Sequence, residues 1–140
     1  MTDKIAAIDT FLAEARNVIV AGVRKDGRPS MTPNWFFWQE GHFYISTTKT
    51  RAKYRLFRND PRVQLVIDDS TGFRYVVVNG TVEIGEDIDA GLPYFRALRQ
   101  KHDKGGQTDQ ELRDEMVRDQ RVLLIVTPDS PQSEWMSMGF

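Results

Sequence analysis

Ser46-Thr47-Thr48 ends an apolar run, and a dense series of cations follows: Lys49, Arg51, Lys53, Arg55, Arg58 and Arg62, with Asp60 the one acid among residues 49–62. Hydroxyl donors at a strand end, running into a helix that carries Lys and Arg, are the groups that hold a phosphate. Free backbone N–H groups at a positive helix end add to charge-assisted side-chain bonds. The stretch carries +5 in a chain of net charge −1, so the remainder carries −6. A basic island in an acidic body concentrates its field locally. It argues for a small anion and against a nucleic acid, which calls for charge spread over a whole face.

Other residue types offer little chemistry. Cysteine is absent, which removes disulfides, thiolate metal sites and cysteine nucleophiles. His42 falls at a turn and His102 in a Gly- and Lys-rich loop, and no spaced cluster of histidines and carboxylates accompanies them, so no metal site is expected. Asp68-Asp69 are neighbours on a strand and point to opposite faces, which suits a strand end better than a carboxylate pair. Ser30 and Ser46 have no histidine at a recognisable spacing for a hydrolytic triad. Gly105-Gly106 follows no strand and is read as a loop. No side chain is nominated as catalytic, and a bound cofactor is expected to supply the chemistry.

The elements that must position the basic segment can be read from local pattern. Thr2 caps a first helix that carries Asp3, with Ile5, Ile8, Phe11, Leu12 and Ala15 on one face, ending near Ala15. NVIVAGVR, from Asn17, is a β-branched strand, and Asp26-Gly27 marks the hairpin after it. PSMTPNWFFW is the second strand, placed at an edge or made irregular by Pro29 and Pro33. HFYIST is the third, followed by a basic helix over residues 50–58 that Asn59-Asp60-Pro61 ends. VQLVID and RYVVVNGTVEIG are the fourth and fifth strands, with Gly80 as a candidate bulge. A helix starts from Asp87, with Pro93 in its first turns. Thr108 to Glu111 forms a capping box that opens another helix. RVLLIVTP is the sixth strand, and the tail SPQSEWMSMGF shows no regular pattern.

Its 140 residues suit one domain, and six strands with tight hairpins suggest a mainly β (α+β), six-stranded antiparallel barrel with flanking helices. Trp35, Phe36, Phe37 and Trp38 make both faces of the second strand apolar, and Val76 to Val78 do the same on the fifth. One face fills the barrel. The other calls for a partner, so a homodimer seamed along these strands is expected. The N-terminus lacks the basic start and apolar block of a signal peptide, and no apolar run reaches the roughly 20 residues of a membrane span, so a cytoplasmic protein without membrane contact is expected.

The segment VRKDGRPSMTPNWFFWQEGHFYISTTKTRAKYRLFRNDPRVQLVIDD, followed by YVVVNGTVEIG, resembles the pyridoxamine 5′-phosphate oxidase-like proteins, and among them the actinobacterial branch that uses the deazaflavin coenzyme F-420. The resemblance spans roughly residues 10–128. It implies a split-barrel homodimer, with cofactor sites at the subunit interface and residues 1–140 as one cofactor-binding domain. It places the family's phosphate-binding lysine on Lys53, with Arg51, Thr48, Thr47 and Ser46 at neighbouring phosphate contacts. The cofactor ring would lie along Thr32, Pro33, Asn34 and Trp35, with Tyr75 and Val76 contributed by the partner. The implied activity is hydride transfer between F-420 and a small unsaturated substrate. FMN is the alternative cofactor, and a non-catalytic flavin- or haem-binding module the alternative role. The chain departs from the FMN oxidases at Ala52, where they carry arginine, and at Met31 and Thr32, where they carry a basic residue. It also lacks their C-terminal substrate-binding pattern.

Overall fold

A computed structural model describes residues 2–140, with side chains from Asp3 onward. The chain runs through α1 (Thr2–Ala13), β1 (Asn17–Val23), β2 (Pro29–Trp35), β3 (Phe37–Gln39), β4 (His42–Thr48), α2 (Ala52–Asn59), β5 (Arg62–Asp68), β6 (Tyr75–Gly85), α3 (Ile88–Lys101), α4 (Asp109–Arg118), β7 (Arg121–Pro128), a 3-10 turn (Gln132–Glu134) and β8 (Met136–Met138). The cap expected at Thr2 rests on a side chain outside the described ones, and α1 stops at Ala13, two residues before the predicted end.

The architecture is mainly β with four helices, built on one curled antiparallel sheet. The strand count differs from expectation: the described residues form eight strands, in the order β2-β1-β5-β6-β7-β4-β3, with β8 also pairing β6. Two local events account for the excess over six. The aromatic run does not continue as one strand but breaks at Phe36 into β2 and β3. The tail, expected to be irregular, adds β8 beside Tyr75–Val77. β2 and β3 are consecutive in sequence yet occupy opposite ends of the strand order. A sheet whose two edges are joined by one residue must curl on itself, which gives the half-barrel. Pro29 and Pro33 sit on the edge strand β2, where a missing N–H costs no ladder bond on the open side.

Gly80 is not a bulge. β6 keeps unbroken register with β5 and β7 through it. A Cβ there would stand 2.7 Å from the Thr127 carbonyl oxygen, so the glycine serves close backbone approach. Gly22 has the same role on β1: an added Cβ would lie 2.6 Å from Leu56 and 3.0 Å from the Phe57 ring, so its absence lets α2 settle directly onto the hairpin.

Ile8, Phe11 and Leu12 of α1, Phe36, and the inward residues of β1 and β4 to β7 form one buried core. A second core lies outside the sheet, where Leu92, Phe95 and Leu98 of α3 and Leu112 and Met116 of α4 cover Tyr44 and Leu123. Phe37 packs here, so the chain's own helices cover part of the aromatic run assigned above to a subunit seam. The predicted caps form: Ala90 N donates to Asp87 Oδ1 at 3.2 Å, and Thr108 and Glu111 close a reciprocal capping box. Pro93 falls in the second turn of α3. Trp135 and Phe140 pack on the main core, Trp135 against Trp38 and Phe43 and Phe140 against Phe11.

Lys101, at the last turn of α3, ties three elements together. Its Nζ donates to the Leu12 carbonyl at 2.7 Å and to the Phe36 carbonyl at 3.0 Å, and sits 3.6 Å from the centre of the Phe36 ring. Burial, helped by the nearby Arg16 charge, lowers its pKa from 10.5 to about 8. Between these values the unfolded chain keeps a proton that the folded chain has released, so this group makes stability rise with pH across that window. Below about pH 8 its full penalty applies. Denaturant midpoints measured from pH 7 to pH 10.5, compared between the wild type and Lys101→Met, are expected to show that rise in the wild type only. Parallel pH profiles would refute it.

Candidate functional site

The basic segment divides by what each cation meets. Lys49 pairs with Glu86 at 3.3 Å, and Arg62 with Asp60 at 2.7 Å. Arg58 lies over the Tyr54 ring, whose hydroxyl donates to Glu86 at 2.7 Å. Arg51, Lys53 and Arg55 have no carboxylate partner among the described residues. Arg58 likewise has none but is held on Tyr54, so two of the six cations are ion-paired and Arg51, Lys53 and Arg55 remain for a ligand.

Arg51 lines a cleft of about 340 Å³ together with Asn17, Pro33, Asn34, Trp35, Ser46, Phe95, Leu98, Arg99, Met116 and Arg121. That volume falls within the range of small-molecule sites. The floor is apolar, from α3 and α4, and one wall is the edge strand β2. Arg121 Nη1 lies 3.4 Å from Ser46 Oγ, because β7 pairs Arg121 with Thr48 and Leu123 with Ser46. Burial first, then the charge of Arg51, lowers the pKa of Arg121. Arg99 also reaches the cleft but is ion-paired with Glu115. Two guanidinium groups that repel one another beside a hydroxyl, Arg121 half-buried and Arg51 exposed, form a site whose electrostatics an anion would relieve.

Lys53 stands next to this cleft without lining it. Its Nζ donates to Thr32 Oγ1 at 2.7 Å, and Asn34 Nδ2 donates to the same hydroxyl at 3.2 Å. Burial, then Arg51, lowers the Lys53 pKa. Thr47 is fully buried and its Oγ1 has no partner among the described residues, whereas Thr48 Oγ1 shares a 2.8 Å bond with Thr50. Of the residues assigned to the cofactor, Ser46, Arg51, Pro33, Asn34 and Trp35 line one cleft, and Lys53 and Thr32 adjoin it. Thr47 and Thr48 are not among its lining residues. Tyr75 and Val76 are elsewhere, on β6 beside β8, and Val76 is wholly buried in the main core.

Arg121, Arg99 and the helix residues Phe95, Leu98 and Met116 were missed by sequence reasoning. Arg121 opens an apolar strand, and only the β4–β7 pairing shows what it faces. His102 was also passed over. Its ring stacks on Trp35 with centroids 4.1 Å apart and an interplanar angle of 4°, and its Nε2 is buried without a partner among the described residues. His102 thus fixes the plane of Trp35 in the cleft wall. His42, by contrast, is bonded to Thr127 at 3.1 Å, and the described residues contain no cluster of metal-ligating side chains.

The donor set fits a flat ligand with a phosphate: two arginines and a hydroxyl share the cleft with a half-exposed tryptophan and an apolar floor. Comparison with solved structures agrees in fold. An F420 reductase is 27% identical, the match covering 87% of this chain and 93% of that one with a TM-score of 0.69. A conserved hypothetical protein from Mycobacterium tuberculosis is 23% identical, over 95% of this chain and 82% of that one, with a TM-score of 0.81. HutZ, a haem storage protein from Vibrio cholerae, is 16% identical, over 96% and 94%, with a TM-score of 0.74. The sequence profile of the family described as pyridoxamine 5′-phosphate oxidase matches residues 5–132, nearly the whole chain, and this protein belongs to that family.

Proposed function

We propose that the protein is a homodimeric oxidoreductase that binds the deazaflavin F-420 and transfers a hydride to or from a small unsaturated organic substrate. The observation that carries this reading is the meeting of Arg51, Arg121 and Ser46 in the cleft that Trp35 walls. Similarity to an F420 reductase, 27% identical over most of both chains, supports the choice of deazaflavin. The deazaflavin supplies a ring carbon that accepts or gives up hydride. The chain's own part is to bind and to orient. Arg51, Arg121 and Lys53 hold the phosphate, remote from the reacting carbon, so binding energy there fixes the ring position. Trp35, clamped by His102, sets the ring plane, and Phe95, Leu98 and Met116 keep that end dry.

A second copy is supported by the outward sheet face. Met31 is 61% exposed, Trp35 41% and Met136 66%, an apolar surface that monomers seldom leave bare. Tyr75 lies beside Met138 on this face and is the residue that a partner subunit would present. Trp35→Asp is expected to abolish the dimer, ring binding or both; wild-type mass in solution together with wild-type cofactor affinity would refute the placement.

The test of function is a fluorescence titration of purified protein with F-420 and with FMN, followed by assays on enones and quinones. Tight F-420 binding with turnover is the expected result. A yellow protein from a host lacking F-420 would replace it with the FMN reading, for which Arg51 compensates the missing basic group at Ala52. Tight binding without turnover would make it a carrier of flavin or haem. Failure of both cofactors to bind below high micromolar concentration would overturn the proposal.

A further inference from the structure

Trp35 ends β2, an edge strand, and pairs on one side only, with Asn17 of β1. The sheet therefore does little to hold this wall of the cleft against the floor that α3 provides. Two consecutive contacts do so instead. Phe36 meets Lys101, and Trp35 meets His102 ring on ring, so two neighbouring residues at the end of β2 are tied to two at the end of α3. The backbone that presents His102 is itself fixed. Asp103 takes a left-handed conformation, with φ 55°, and its N–H donates to the Gln100 carbonyl at 3.2 Å. Lys104 N donates to the Arg99 carbonyl at 2.8 Å, which closes the helix in a Schellman turn. What remains movable is the imidazole.

The stack suits a neutral ring. Nε2 of His102 is buried with no partner among the described residues, which fits the tautomer protonated on Nδ1 alone. A proton on Nε2 would create a charged N–H where there is no acceptor, and the attraction of an indole face for a cation is smaller than that cost. Few charges bear on the ring. Lys101 opposes protonation and Asp103 favours it, Arg16 adds positive charge beside Lys101 from the turn after α1, and β2 has no titratable side chain. Burial first, then Lys101, lowers the His102 pKa from 6.5. We propose, resting on the reading of the cleft as the ring site, that His102 is a positioning residue for the cofactor ring and a proton switch on it. Neutral, it holds Trp35 parallel to itself in the cleft wall; protonated, it leaves the indole, and the wall loosens.

The chain has two histidines, so proton NMR of the cofactor-free protein tests the switch directly. At mildly alkaline pH one imidazole Cε1–H is expected well upfield of its ordinary position, because it lies over the Trp35 face. His42→Asn is expected to leave that resonance in place, and Trp35→Leu to remove its displacement. On acidification the displacement is expected to collapse in one step with a midpoint below 6.5. No displaced resonance, a displacement that survives titration, or a midpoint at or above 6.5 would each overturn the switch. Titration with F-420 and with FMN across the same pH range tests the positioning role. Wild-type affinity is expected to fall about two- to tenfold through the step, the worth of one aromatic pair. His102→Phe, which stacks without titrating, is expected to keep its alkaline affinity throughout, and His102→Ala to bind weakly at every pH. The same pH dependence in wild type and His102→Phe would overturn that role. Failure of both cofactors to bind would overturn it together with the proposed function, while the NMR step still decides the switch.

Discussion

Phe36→Ala is expected to destabilise the protein by about 3–5 kcal/mol, the usual cost of emptying a phenylalanine site in a packed core. Three features put this residue at the expensive end. Its side chain is fully buried in the main core. Its carbonyl accepts from Lys101 at 3.0 Å, and its ring carries that same ammonium at 3.6 Å. It is also the one residue between β2 and β3, where the chain passes from one end of the sheet to the other. Truncation leaves a cavity and strips the face on which a buried cation rests, at the point that closes the curl. Since domains of this size are stable by only about 5–15 kcal/mol, much of the folded population is at risk. Chemical denaturation followed by tryptophan fluorescence measures the effect. A loss under about 1 kcal/mol, within the range of ordinary surface substitutions or little beyond it, would show that the strand switch is held by other contacts.

Lys53→Ala is expected to weaken cofactor binding by about 1.5–3 kcal/mol, roughly ten- to a hundredfold or somewhat more, the value of a hydrogen bond to a charged group. Lys53 has no carboxylate partner among the described residues, and its ammonium rests on a neutral hydroxyl, Thr32 Oγ1. Burial, with the Arg51 charge added, already depresses its pKa, so a phosphate would relieve a site that is electrostatically unfavourable without one. The same reasoning fixes the sign of a second measurement. Removing the lysine relieves the repulsion on Arg51, so the denaturation midpoint of the cofactor-free protein should not fall. Weakened binding with undiminished stability is the signature of a binding residue. An unchanged dissociation constant would remove Lys53 from the phosphate site, and a large fall in the midpoint would assign it a structural role.

Local signals determined much of this molecule. The Asp26-Gly27 turn, the Asp87 cap, the Thr108–Glu111 capping box and the edge position of the proline-bearing strand all formed as residue type and spacing imply. Each depends on groups within a few residues of one another, or on a side chain's intrinsic constraint. The presence of a cation-rich segment after a hydroxyl-rich strand end was equally plain. Which of those cations are free to bind was not. Glu86, which occupies Lys49, lies on another part of the chain, and Arg121, which joins Arg51 at the cleft, is 75 residues from the serine it faces. Likewise, the break at Phe36 answers to a lysine 65 residues away, and the role of α4 emerges only where Met116 meets the cleft floor. Hydrophobic alternation specifies that a strand exists and which face it buries, but not which strand pairs beside it. Charge pairing and cleft lining are set by that pairing, and so they belong to the tertiary structure alone.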